Sequence, residues 1–76
     1  MDWKKITNET PIVFESGDWD GLRSDFVLVR DIYADYHIAR MYEGFMDGSK
    51  FENFYDTNDF EIETVVQWCY IIDPLL

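Results

Sequence analysis

The run "VVQWCYIIDP", residues 65–74, most constrains the fold, because only Gln67 and Asp73 in it are strongly polar. As a β-strand it would be apolar on both faces. One face would carry Val66, Trp68, Tyr70 and Ile72, and the other Val65, Gln67, Cys69 and Ile71. A strand of this kind is normally central and covered on both sides. The cover must come either from a folded-over part of the same sheet or from another chain.

A helix is the alternative for this part of the chain. Asn58 followed three residues later by Glu61 matches a capping box. One helical face would then carry Phe60, Thr64, Val65 and Trp68. Against this, the β-branched residues of the run lose rotamer freedom in a helix and pack well on strands. We favour a strand, and a helix within residues 58–70 stays open.

Two β-rich segments in the middle of the chain predict a hairpin. Residues 26–33 and 35–43 are rich in β-branched and aromatic side chains, with a break near Ala34 and Asp35. Neither break residue is the glycine usual at a tight hairpin turn. A hairpin is nevertheless the simplest interpretation.

A third strand is predicted after the Asp47-Gly48 dipeptide, which is a turn signal. Residues 50–56 alternate between two faces, and residues 16–22 form a loop around Trp19. The predicted fold is mainly β, or α+β with one short helix. Its small antiparallel sheet of four to five strands would be completed by oligomerisation.

The short length of 76 residues favours assembly with other copies. A single domain over residues 1–76 has a small core, so stability near ~3–5 kcal/mol is expected for the isolated chain. Cys69 is the only cysteine, which excludes an internal disulfide, and one histidine with one cysteine makes a structural zinc site improbable. We therefore predict a homodimer or an even-numbered oligomer. Its contact residues would be Val65, Cys69 and Ile71.

A formal net charge of −10 dominates the surface chemistry. It repels nucleic acid and anionic membranes and favours encounter with basic proteins. The acidic residues are dense between Glu43 and Glu63, where Lys50 is the only basic residue. The predicted partner-binding residues are Glu52, Asp56, Asp59, Glu61 and Glu63. The alternative is a hydrated acidic face with no binding role.

The chain contains no convergent catalytic set, so we expect neither enzyme activity nor a cofactor. Asp18-x-Asp20 and Asp56-x-Asn58 each stop after two oxygen ligands, short of a calcium loop, so no metal site is predicted. His37 has no nucleophile or carboxylate at a spacing that indicates a triad. No apolar run has the length of a signal peptide or a membrane span, so a cytoplasmic location is expected.

Short motifs spread over most of the chain resemble the family known as domain of unknown function 551. They are Trp3, Thr10-Pro11, Val27-Leu28-Val29, Ile38-Ala39, Gly44, Val66-x-Trp68 and Pro74. The chain departs from that pattern at Ile12, where the family has Glu, in its longer segment 15–25, and in lacking a Pro-rich tail. The resemblance implies an origin in a phage or mobile element and no established chemistry.

Two functions follow as expectations. The first is a non-enzymatic acidic protein that binds and blocks a basic host protein, such as a nucleic-acid-binding defence component. The second is an oligomeric protein that sequesters a small ligand. Its pockets would lie between chains and would be lined by Trp3, Trp19 or Trp68.

Overall fold

The structure is a computed structural model that describes residues 2–72. Within that range the protein is built from β-strands without a helix. The strands are β1 (Lys4–Lys5), β2 (Phe14–Glu15), β3 (Leu22–Arg23), β4 (Val27–Asp31), β5 (Tyr36–Met46), β6 (Ser49–Asp56), β7 (Glu61–Ile62) and β8 (Val65–Tyr70). The mainly β prediction is confirmed, although eight strands exceed the predicted four to five.

The long strand β5 is the centre of a single antiparallel sheet. On one side it pairs with β6, which in turn pairs with β7. On the other side β4 pairs with the first part of β5 and β3 with a later part. Beyond β4 lie β8 and then β1, and beyond β3 lies β2. The sheet is not closed.

One face of this sheet, which we call the core face, carries the buried apolar residues. The pairs Val27↔Ala39, Met41↔Phe54 and Val29↔Trp68 place these side chains on the same side of four adjacent strands. All of them are at most 4 % exposed. Strand β8 therefore belongs to the core, as its apolar composition indicated.

The segment between β1 and β2, residues 6–13, covers the core face. The Trp68 indole Nε1–H donates to the carbonyl of Glu9 at 2.9 Å, and the Ile12 N–H donates to the Tyr70 hydroxyl at 3.0 Å. Ile6 and Val13 pack against the core. The chain thus supplies the cover that this face of β8 requires.

The opposite face, which we call the outer face, carries a pair of aromatic rings. Trp3 precedes β1, and its ring lies 5.8 Å from the ring of Tyr36 on β5. Strands β8 and β4 lie between β1 and β5. The ring pair therefore spans these two strands, in agreement with the 1 % exposure of Cys69.

The side-chain alternation predicted for β8 is wrong at Val65, because a β-bulge interrupts the strand. Arg30 pairs with Gln67, but the next residue, Asp31, pairs with Val65 instead of Val66. The register shift turns Val65 to the core face, where it packs against the buried cluster. Val65 therefore shares a face with Trp68, whereas strict alternation placed them on opposite faces.

Two hairpin turns share one construction, in which an aspartate closes a three-residue loop. The Asp31 Oδ1 accepts the N–H groups of Tyr33 and Asp35 at 2.9 and 3.0 Å. In the second turn, the Asp56 Oδ1 accepts the corresponding N–H groups of residues 58 and 60 at 2.8 and 3.0 Å.

The third loop residue of each turn is left-handed, with φ of 65° at Ala34 and 63° at Asp59. A type I turn followed by a left-handed residue is a common hairpin connection. The second turn occupies the place of the alternative helix, so the capping-box interpretation of Asn58 and Glu61 is wrong.

Candidate functional site

An acidic cleft lies on the core side of the sheet, between the β6–β7 hairpin and the segment that follows β1. Its volume is about 450 Å³. Three carboxylate residues line it, Glu52, Glu61 and Glu63. The remaining lining is largely apolar and consists of Ile6, Thr10, Met41, Asn53, Phe54, Ile62 and Val65.

The acidic cleft has its form because β6 and β7 extend the sheet past the core. Phe54 pairs with Ile62, and both residues line the cleft. The short β7 then places Glu61 and Glu63 on either side of Ile62. Both glutamates are exposed, so their charges face water, and Ile62 between them pairs with Phe54 on the core face.

Lys50 does not line the acidic cleft, but it partly balances the charge of Glu52, which does. Its Nζ lies 2.6 Å from a Glu43 carboxylate oxygen and 3.3 Å from a Glu52 oxygen. These two carboxylates raise the pKa of Lys50. Glu61 and Glu63 make no ion pair with any residue in the described range 2–72. Their charges remain available to an incoming cation.

Of the five predicted partner-binding residues, the acidic cleft brings together three. Asp56 instead closes the second hairpin turn through its hydrogen bonds to residues 58 and 60. Asp59 lies in the same turn but lines a different depression. The five acidic residues therefore have different positions: Asp56 closes a turn, Asp59 lines a second depression, and the other three line the acidic cleft.

The predicted oligomer contact residues are mostly used within the chain. Val65 packs on the core and Cys69 is 1 % exposed, whereas Ile71 is 49 % exposed. Burial also raises the pKa of the Cys69 thiol. The homodimer stays a prediction, and among its named residues Ile71 offers the most surface.

A second depression, the aromatic groove, lies on the outer face. It is lined by Trp19, Tyr42, Phe51, Tyr55 and Asp59 and has a volume of about 330 Å³. Tyr42 and Tyr55 are contributed by β5 and β6, and Trp19 by the loop before β3. Its position within one chain differs from the predicted pockets between chains. Of the three tryptophans named there, Trp19 alone lines it.

Sequence reasoning missed most of this groove, although a signal was present. Phe51 and Tyr55 alternate with Glu52 and Phe54 along β6, so they share the outer face. The pairing of β6 with β5 adds Tyr42 to that face. The sequence does not indicate that the loop folds back and places Trp19 over Gly44. The two are so close that a Cβ added at Gly44 would lie 3.0 Å from the indole ring.

The histidine lies in β5, next to the first hairpin turn. The Nε2 of His37 lies 2.9 Å from the Asp31 Oδ2, and Asp31 is 6 % exposed. The hydrogen bond from His37, followed by those from the backbone, holds the pKa of Asp31 below its usual value. In residues 2–72 there is no grouping of three or more acidic, histidine or cysteine side chains that could hold a metal ion.

Comparison with known proteins found no matching family model, no matching curated protein and no matching solved structure. The resemblance to domain of unknown function 551 therefore stays a prediction, and Pro74, one of its motifs, lies outside the described residues together with Asp73. Residues 2–72 form no helix of the length and apolarity that a membrane span requires.

Proposed function

We propose that this protein is a non-enzymatic binding protein that captures a basic segment of a partner protein in its acidic cleft. One observation carries the proposal: Glu52, Glu61 and Glu63 line a single depression whose other walls are largely apolar. In the alternative, a hydrated acidic face with no binding role, the carboxylates would have no reason to share a depression with apolar side chains.

The lining of the acidic cleft suits arginine and lysine side chains. These residues have apolar stems and charged ends, and they bury the stem along apolar surface while the charge stays near water. In the acidic cleft, the half-buried Ile6 and Ile62 offer apolar surface, and Glu61 is exposed. Arginine fits particularly well, because its planar guanidinium pairs with a carboxylate through two parallel hydrogen bonds.

The net charge of −10 supports a partner with a strongly basic surface. Electrostatic attraction over the whole molecule accelerates encounter with such a surface. Proteins that bind nucleic acid carry basic surfaces of this kind, and occupation of that surface blocks it. The resemblance to a phage family adds a host defence component as the proposed target.

The first test uses a short arginine-rich peptide as the probe. We expect binding to weaken steeply as salt rises, because attraction between unlike charges is screened over ~8 Å at physiological ionic strength. The triple variant Glu52→Lys, Glu61→Lys, Glu63→Lys should lose binding while keeping the wild-type circular dichroism spectrum. Isothermal titration calorimetry at several salt concentrations measures both effects.

The control is a second triple variant, Glu15→Lys, Asp20→Lys, Asp25→Lys, which changes the net charge equally. These three residues are exposed and lie outside the acidic cleft. The control should retain most of its affinity for the peptide. Equal losses in both triple variants would mean that net charge alone attracts the peptide, and the cleft would then have no specific role.

A further inference from the structure

Three of the four rings of the aromatic groove meet at steep angles. Tyr42 and Tyr55 are 5.3 Å apart at 87°, and Trp19 and Tyr42 are 5.4 Å apart at 70°. Phe51 lies 6.0 Å from Trp19 at 46°. All four side chains are half-buried, so they are fixed by packing but keep part of their surface open. The rings of two strands and a loop thus line one depression.

The charge of the groove is negative. Among its five lining residues only Asp59 is charged, and it comes from the turn that follows β6. The negative face of each aromatic ring attracts a cation, most strongly in the case of tryptophan. A carboxylate beside such rings adds to that attraction, whereas an anionic ligand would be repelled by Asp59 and by the net charge of the chain.

The nearby Arg40 packs its guanidinium on an aromatic ring outside the groove. It pairs with Tyr55 across β5 and β6, but it does not line the groove. Its Cζ lies 3.9 Å from the centroid of the Phe26 ring. The same sheet face thus already holds one cation against an aromatic ring.

We propose that the aromatic groove binds an alkylated ammonium group, as found in choline-like small molecules and in methylated lysine. An alkylated ammonium has few or no N–H donors, so a wall of rings can hold it without leaving buried donors unpaired. A primary ammonium has three N–H donors, and a lining made mostly of aromatic carbon would take from them the water that they bind in solution. This site lies on the opposite face of the sheet from the acidic cleft and does not depend on it.

The test compares choline with its neutral isostere, in which a tert-butyl group replaces the trimethylammonium group. The two molecules have the same shape and differ in charge. We expect choline to bind about tenfold or more tightly than the isostere, because only the cation is attracted by the ring faces. Two-dimensional NMR of the labelled protein measures both affinities, and the indole N–H signal of Trp19 should shift.

Two variants localise the binding. Asp59→Asn removes the charge but suits the left-handed backbone, because Asn adopts that region readily. Phe51→Leu removes a ring but keeps apolar volume. Each should weaken choline binding several-fold, while Phe45→Leu, at a 77 % exposed position outside the groove, should not. The triple variant of the acidic cleft should also bind choline normally, which separates this proposal from the proposed function.

A peptide with trimethyl-lysine distinguishes the two sources of the ligand. Tighter binding of the peptide than of choline assigns the groove to methylated proteins, and equal or weaker binding assigns it to free small molecules. Both results support an alkylated ammonium site. The proposal is overturned if the neutral isostere binds as tightly as choline, if saturating choline leaves the Trp19 signal unmoved, or if neither groove variant weakens binding.

Discussion

At the scale of single residues, the carboxylates of this chain have different roles, although the amino-acid composition groups them together. Asp31 and Asp56 organise turns, whereas Glu61 and Glu63 face water at the acidic cleft. Composition alone assigned Asp56 to a partner surface. An aspartate that accepts N–H groups two and four residues later is recognisable only after the turn that follows it is known.

The first prediction at this scale concerns Asp31 and pH. Its pKa is lowered in the folded protein, chiefly by the hydrogen bond from His37, so the unfolded chain binds its proton more readily. The stabilisation by Asp31 is therefore complete above its unfolded pKa near 3.8 and is lost as pH falls through the lower folded pKa.

We expect Asp31→Asn to be destabilised relative to the wild type at neutral pH, with a gap that narrows below about pH 4. Urea unfolding over a series of pH values measures this difference. A gap that stays constant down to about pH 2 would show that the charge of Asp31 does not stabilise the fold.

At the scale of strands and turns, periodicity predicted the centre of the sheet well. The predicted strands 26–33, 35–43 and 50–56 correspond to β4, β5 and β6, and the Asp47-Gly48 turn has the two positive φ angles of 53° and 81° that such a dipeptide allows. These strands could be predicted because alternation is visible within each segment and because each strand pairs with the next one along the chain.

The remaining strands were missed for a physical reason. Strands β1, β2, β3 and β7 have only two residues each, too short for any period to show. The cover of the core face was missed as well, because residues 6–13 have no regular structure. Its position is fixed by long-range hydrogen bonds to Trp68 and Tyr70, which no local pattern encodes.

The matched hairpin turns provide the second prediction. Ala34 has a positive φ of 65°, and this backbone conformation costs an L-residue about 1–2 kcal/mol, a cost that glycine avoids. Glycine in turn destabilises the fold by about 0.5–1 kcal/mol, because it loses more conformational freedom on folding. We expect Ala34→Gly to stabilise the protein by roughly 0.5–1 kcal/mol. Thermal unfolding measures the change.

Asp59→Gly is the control in the second turn, at the equivalent position with φ of 63°. Aspartate adopts the left-handed region more readily than alanine, so its replacement should gain less. A larger gain at position 59 than at position 34, or a loss at position 34, would contradict the shared construction of the two turns.

At the scale of the whole molecule, the chain covers most of the run that suggested a partner copy. The apolar surface that remains near the end of β8 is a groove of about 380 Å³ lined by Asp25, Phe26, Ile71 and Ile72. Ile72 is 81 % exposed. A homodimer, the assembly predicted from the sequence, would find its contact here.

We therefore expect Ile71→Lys to dissociate the predicted homodimer. The substitution places a charge at the contact, and it also lowers the net negative charge, so general repulsion cannot explain a loss of association. Phe60→Lys, at a 69 % exposed position outside that groove, is the control and should remain dimeric. Light scattering at micromolar concentration measures the mass, and a wild-type mass of one chain would contradict the dimer.

The pairing of the first strand with the last has a consequence for how the protein is made. Lys4 pairs with Trp68, and the covering segment hydrogen-bonds to Trp68 and Tyr70, so contacts between residues about 60 positions apart complete the core. During synthesis the core face stays open until β8 has left the ribosome. Such distant contacts slow folding compared with local ones, and the nascent chain exposes apolar surface meanwhile. The high negative charge carried by the same chain then keeps unfinished copies apart.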